Sequence, residues 1–300
     1  MPRFWSFGLV LPALLLVATA CGDSAGSSAD GGVSVIATTT VLGDVVGGVV
    51  GEGGTVEVIV PVGVDPHDFA ASSRQAAAMA RADLVVANGL SLEEGLTAVL
   101  EGAEGDGANV LEVAPLLDPL PLSAGSDDPH VWMDPLRMAD AARLIAAELA
   151  AIDDSADWET RAEAYAEDLI AADAAIRDTL SAVPAERRIL VTNHDSLGYF
   201  ADRYDFEVVG VVIPGGSTLA DPSSSELAVL VRTIEDEGVT AIFAETTQPT
   251  ALAEAVAEEA GSEVMVVELY TGSLGESGSG ADTLIGMLLT NAQRIAETLK

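Results

Sequence analysis

Basic residues are scarce in this chain, with 13 Lys and Arg against 48 Asp and Glu and a formal net charge of −35. Nucleic-acid binding needs Lys and Arg gathered against a phosphate backbone, and no basic stripe is visible, so no nucleic-acid partner is expected. The acidic surplus reads most simply as a solvated, solubility-keeping surface, with attraction of cations as the functional alternative. Cysteine is scarcer still: Cys21 stands alone, so no internal disulfide is available and the fold must rest on its core. Beyond the N-terminal run, no stretch of ~18 uninterrupted apolar residues occurs, which leaves no second candidate membrane span. Histidine occurs three times, at His67, His130 and His194.

What is present is a well-cored composition, 49% hydrophobic and 20% charged, in 300 residues. Single cores stop growing near ~250 to 300 residues, so two lobes are the starting expectation. Residues 1–20 read as an export signal: Arg3, then the apolar run Phe4 to Ala20 ending in the small residues Ala18, Thr19 and Ala20. A cysteine directly after such a signal resembles the bacterial lipobox, in which the thiol is lipidated and becomes the mature N-terminus. The position three before the cysteine, commonly Leu, is Ala18 here, and an ordinary cleaved signal with an incidental cysteine is the competing reading. Residues 21–32, almost wholly Gly, Ser, Ala and Asp after Cys21, are expected to tether an exported domain to the outer face of the cytoplasmic membrane.

Short β-branched runs bounded by turn residues recur at Val33 to Ala37, Thr55 to Val60, Asp83 to Asn88 and Asn109 to Val113. A second series follows at Arg188 to Thr192, Glu207 to Ile213, Thr240 to Glu245 and Glu263 to Leu269. Strands alternating with helical patterns indicate an α/β fold of parallel sheets covered on both faces. Between the two series, Trp158, Ala162, Tyr165, Leu169, Ala172, Ile176 and Leu180 recur at three- and four-residue steps. The spacing predicts one helix over 155–183, about 40 Å long, ended by Pro184. The expected organisation is a first lobe over 33–154, this linking helix, and a second lobe over 184–300, with only a small closure on ligand binding. A surface helix within one domain is the alternative. Its acidic positions Glu159, Glu163 and Glu167 are expected to face solvent without a partner.

All three histidines follow predicted strands, and in open parallel sheets ligands bind outside the carboxyl ends of strands, so the three should converge. Histidine is the commonest ligand for borderline metals, and three imidazoles supply most of a tetrahedral zinc shell. Asp65 and Asp68, Asp128 and Asp134, and Asp195 lie beside them, placed to accept a second ring N–H and fix the tautomer. Taken singly, each histidine is more simply a structural residue; together at strand ends, the three point to a shared metal ligand set. Trp132 and Tyr199 adjoin two of them, and core packing is the simpler reading for both.

VDPHDF around His67, DPHVWMDP around His130, TNHDSLGYFADRY around His194 and LYTGSLGESGSGADTLIGMLLTN near the end carry a resemblance. Over residues 33 to 300 the chain resembles the bacterial zinc and manganese solute-binding proteins of ABC importers. The resemblance implies two α/β lobes joined by a rigid helix, with metal held in the cleft. His67, His130 and His194 match the family's first three ligand positions. A histidine at the third is the zinc-type pattern, and a nitrogen-rich set favours Zn2+ over Mn2+ or Fe2+; the His-rich loop of many zinc-type members is absent. At the fourth position, where the family commonly has an aspartate, this chain has Gly272, so Glu245 or a water is expected to complete the shell. The loop Gly272 to Gly280, with four glycines, reads as flexible cover.

The expected function is binding without turnover, by a monomer that passes its metal to an ABC permease in the membrane. Ligation requires deprotonated imidazoles, so affinity is expected to fall as pH drops through ~6.5. A zinc hydrolase is the rival from another class, since three histidines and an open water position also serve catalysis, with Glu245 as base. No HExxH helix accompanies them. A surface adhesin is a third reading compatible with a lipid anchor.

Overall fold

The computed structural model describes residues 1–3, 32–122, 125–261 and 263–300. The apolar run Phe4 to Ala20, Cys21 and the Gly/Ser-rich segment to Gly31 lie outside the described residues, and with them the expected export signal, lipidation site and tether. Among the described residues no helix is long and apolar enough to cross a membrane.

Among the described residues, eight strands form two sheets of the same topology. The first contains β1 (Val33–Ala37), β2 (Gly54–Val58), β3 (Leu84–Ala87) and β4 (Val110–Glu112) in the order β2-β1-β3-β4. The second contains β5 (Ile189–Thr192), β6 (Glu207–Val211), β7 (Ala241–Glu245) and β8 (Met265–Leu269) in the order β6-β5-β7-β8. Every strand pairing within the two sheets is parallel, and the central strands β1, β3, β5 and β7 are the nearly continuous buried apolar runs typical of parallel sheets. β1 coincides with its predicted run, and the other strands are slightly shorter than theirs. Beyond β2, Ile59 and Val60 still donate to the carbonyls of Ala37 and Thr38 at 3.0 and 2.9 Å.

Alternate residues along a strand serve different cores. Val33, Val35 and Ala37 of β1 join a large inner cluster, while Ile36 points the other way to Met79 of α2 (Ser73–Met79) and Leu100 of α3 (Thr97–Gly105). In the second sheet Ala241 and Phe243 face the same inner cluster. Ile242 and Ala244 face Leu230 of α7 (Ser224–Glu237) and Val256 of α8 (Ala251–Ala260). The outer cores are therefore separate, and the inner one is continuous across both sheets.

That shared core is built from α1 (Thr40–Val50), α4 (Pro135–Ile152), α5 (Trp158–Leu180), α6 (Gly198–Tyr204) and α9 (Leu284–Leu299). The 23-residue α5 runs about 35 Å and packs against α1, α4 and α9, so it touches elements of both sheets' halves rather than standing free. It begins three residues later and ends three earlier than its apolar periodicity suggests, because 153–157 and 181–183 close as turns around the buried Trp158 and Val183. At the crossing of α1 and α5, a Cβ on Gly48 would lie 2.4 Å from the Tyr165 ring, so the close approach requires glycine. Glu163 departs from the expected unpartnered face: its carboxylate accepts two hydrogen bonds from Arg143 of α4, at 2.8 and 2.9 Å.

Candidate metal centre

In a sheet of order 2-1-3-4 the chain reverses direction between its first and third strands, and this switch point opens a crevice at the carboxyl ends. In the second sheet that crevice lies between β5 and β7, where His194 follows one strand and Glu245 ends the other. In the first sheet His67 comes from the loop after β2, and His130 from the loop that follows β4.

The sequence Asp-Pro-His occurs at both first-lobe sites, and it folds the same way each time. Asp65 Oδ1 accepts the backbone N–H of His67 at 2.9 Å, and Asp128 Oδ1 accepts that of His130 at 2.9 Å. A carboxylate bonded two residues on, with proline fixing φ between, is a stiff turn that presents the histidine ring. His194 is set differently: Thr192 Oγ1 and the backbone N–H of Ser196 both donate to its carbonyl, at 2.7 and 2.9 Å.

These turns bring the three rings together. The centroids lie 5.6 Å apart for His67 and His130, 5.5 Å for His67 and His194, and 4.9 Å for His130 and His194. The Nε2 atoms of His130 and His194 are 3.0 Å apart, and one ring nitrogen from each of the three falls within 4.8 Å of the others. Zinc–nitrogen bonds of about 2.0 to 2.1 Å place tetrahedral donors about 3.3 Å apart, so a small contraction fits the set to one ion. All three residues are buried, at 1 to 2% exposure.

The electrostatics differ from ring to ring. Burial, and then the neighbouring His130 and His194, push the His67 imidazolium down to about 2, so His67 is neutral and ready to donate a lone pair. Burial alone would do the same to His194, but the charge and hydrogen bond of Glu245 outweigh it and raise its pKa. Burial would raise Glu245 in turn, and His194 reverses this, holding the carboxyl below its ordinary range. His130 Nδ1 meets Asp128 Oδ1 at 2.7 Å, and His194 Nδ1 meets Glu245 Oε1. With both Nδ1 atoms turned to carboxylates, the two Nε2 atoms face each other across the centre, and loss of the proton shared between them frees both for a metal. His67 has no such partner: its Nδ1 lies 3.9 Å from Glu94 Oε1 and makes no hydrogen bond.

Glu245 therefore does not stand where a fourth ligand was expected. Among the described residues the ligand-spaced group is the three histidines alone, and Glu245, 2% exposed, lies on the far side of His194. The cause is the direction of β7, which aims its last side chain at the Nδ1 edge of that ring. The same engagement removes it as a general base beside an open water position. Asp195, expected to support His194, does not hydrogen-bond it; burial and Asp128 raise its pKa. Asp134 instead caps α4 and meets Arg203 at 3.2 Å. At Gly272 a Cβ would lie 3.0 Å from Thr247 Oγ1 and 3.4 Å from Pro66 Cδ, so the residue sits between the His67 turn and the Glu245 side of the site.

Trp132 and Tyr199 pack as expected, with added polar work. Trp132 lies edge-on to His130 at 5.2 Å and donates its indole N–H to the Thr271 carbonyl at 2.8 Å. The Tyr199 hydroxyl donates to the Asp128 carbonyl at 2.7 Å and accepts from the Leu120 N–H at 3.0 Å. The loop from Gly272 begins as a pinned segment rather than a loose cover: Ser273 Oγ accepts from Gly63 N at 2.9 Å, and Leu274 N donates to Thr40 Oγ1 at 3.0 Å. The hydroxyls of Thr218 and Ser217 and the amide of Gln248, which meet carboxylates beside His67, carried no sequence signal.

Comparison with known proteins agrees with this geometry. The model of the family described as "Zinc-uptake complex component A periplasmic" (ZnuA) matches residues 35–298. The chain is 31% identical over 298 residues to the manganese-binding lipoprotein MntA of Halalkalibacterium halodurans, covering 98% of each chain. It is 30% identical over 281 residues to the zinc-binding protein TroA of Treponema pallidum, covering 91% of each. The solved structure of the periplasmic zinc-binding protein TroA superimposes with a TM-score of 0.84 at 29% identity, over 90% of this chain and 99% of that one. A match over nearly all the described residues, joined to a buried three-imidazole cluster at the sheet switch point, means that the chain belongs to the ZnuA family of metal-binding, ABC-transporter substrate-binding proteins.

Proposed function

We propose that the chain captures a divalent transition metal through His130 Nε2, His194 Nε2 and a ring nitrogen of His67, and hands it to an ABC permease. The observation that carries this reading is the convergence of three buried, ligand-spaced imidazoles from loops distant in sequence. Two already turn Nδ1 to a carboxylate and Nε2 to the centre, so proton loss rather than ring movement precedes ligation. The continuous inner core makes wide hinge opening costly, so capture proceeds with a small closure.

Zinc is the favoured cargo, because a set of three nitrogens suits a borderline metal better than a hard one. Manganese is the second reading, supported by the 31% identity to a manganese-binding lipoprotein. Metal analysis of protein purified without chelators or affinity tags, followed by a zinc–manganese competition titration, tests the choice. Preferential retention of manganese would reverse it.

The same reading places the chain outside the cytoplasmic membrane, as a monomer anchored by lipid on Cys21, with residues 22–32 as tether. Intact-mass measurement of membrane-extracted protein tests the anchor: a diacylglyceryl-modified Cys21 is expected at the mature N-terminus, and an unmodified soluble product would remove it.

A further inference from the structure

Asp65 does more than shape the turn before His67. The residue is 7% exposed, and while Oδ1 holds the His67 N–H, Oδ2 accepts from Thr218 Oγ1 at 2.5 Å and Gln248 Nε2 at 2.5 Å. Thr218 lies in the loop after β6 and Gln248 in the loop after β7, so both donors come from the second lobe. The adjacent Ser217 repeats the contact, donating to Glu94 Oε1 at 2.5 Å, the same oxygen that lies 3.9 Å from His67 Nδ1. Two successive hydroxyls thus cross the cleft to the two carboxylates that flank His67.

The position of these contacts sets them apart from the rest of the interlobe seam. Trp132 to Thr271 and Thr40 to Ser273 are buried contacts. At the Ser217–Thr218 edge, Leu219 is 54% exposed and the Glu94 side chain 39% exposed, so the cleft meets solvent there. His67 is also the one ligand whose ring no carboxylate braces, so its place depends on its loop being held.

We propose that Asp65, Thr218 and Gln248, with Ser217 and Glu94 beside them, form a polar latch across the cleft mouth. Its opening lets the His67 turn withdraw and sets the rate at which metal leaves. Hydrogen bonds to a carboxylate are the stronger kind, so the latch slows withdrawal, while solvent at its edge keeps it breakable. With both Asp65 oxygens occupied, that carboxylate acts as a positioning group and not as a ligand. The proposal rests on the three-histidine site and adds to it the residues that govern release.

The test loads the full chain with cobalt(II), records the visible d–d spectrum, and follows release into excess chromophoric chelator by stopped flow. Thr218→Val removes the hydroxyl at constant shape and is expected to release metal about tenfold faster. Adding Ser217→Ala should quicken it further, and Thr218→Ser should restore the slow rate, with the cobalt spectrum unchanged throughout. Gln248→Leu is a second, independent way to weaken the same carboxylate, and should also speed release. Release within about twofold of the unaltered protein in Thr218→Val and Gln248→Leu, or a spectrum altered by either, would overturn the latch. Absence of an imidazole-type cobalt spectrum in the unaltered protein would overturn the site, and the latch with it.

Discussion

Two of the three histidines are held from behind by charge, and the third is held only through its backbone. His130 and His194 turn their Nδ1 atoms to Asp128 and Glu245, and both carboxylates are buried, at 2% exposure each. The elements behind them are tied as well: Arg203 of α6 meets Asp134 at the head of α4 at 3.2 Å, and reaches Asp173 of α5 at 2.8 and 2.9 Å. His67 has neither support. The site is therefore a fixed pair of donors and a movable third, which suits a protein that must bind tightly and later let go.

The largest break in this arrangement is removal of a fixed donor. A ligand bound only by the folded state stabilises it by about 4 kcal/mol at a thousandfold excess over Kd. His194→Ala should abolish most of that zinc-dependent gain in melting temperature, and should also lower the metal-free transition, because it leaves the buried Glu245 carboxylate without its partner. A zinc response equal to that of the unaltered protein would mean that the ion binds elsewhere.

Loss of a brace should cost less than loss of a ligand. Carboxylates behind metal-bound imidazoles typically contribute about 10- to 100-fold in affinity. Glu245→Gln and Asp128→Asn should each weaken zinc by that amount in a competition titration. Equal losses would show the fixed pair to be symmetric. A much larger loss for Glu245→Gln would point to direct ligation by Glu245, contrary to its place behind His194.

How much of the molecule was legible in the sequence depends on the range of each interaction. The parallel strands were readable because continuous apolar runs leave few alternatives, and the histidines because rarity and strand-end position made them conspicuous. Asp128 was readable too, being two residues from the ring it supports. Glu245 was noticed as a possible fourth ligand, but its contact with His194 Nδ1 was not legible: it is 51 residues from His194 by number, and only the β5–β7 pairing shows which edge of the ring it meets. Thr218 and Gln248 had no signal, since a single hydroxyl or amide in a loop gains meaning only when the other lobe supplies a carboxylate.

The brace behind the fixed pair gives a smaller effect, read in stability rather than affinity. Burial would raise Asp173, but hydrogen bonds from Arg203, its charge, and the Tyr204 hydroxyl win, holding the carboxyl below 3.8. A depressed folded pKa means that stability is present above the ordinary aspartate value and is lost as pH falls through the folded one. Asp173→Asn should therefore cost about 2 kcal/mol of stability at neutral pH for a charge-assisted contact, read as a lower melting temperature. The gap between variant and unaltered protein should close as acid protonates Asp173 in the latter. A gap independent of pH would assign the effect to packing.

The smallest expected change falls on the unbraced ring. Glu94 lies 3.9 Å from His67 Nδ1 with its side chain 39% exposed, so solvent screens most of the attraction between them. Glu94→Gln should shift zinc affinity by less than about fivefold, well short of the losses at Asp128 and Glu245. The amide keeps an oxygen to accept the Ser217 hydroxyl, so the latch contact survives and the substitution isolates the charge. A loss as large as that of Asp128→Asn would place Glu94 among the braces and erase the distinction between fixed and movable donors. A small loss leaves His67 governed by the position of its loop, and the cleft mouth as the place where retention and release are set.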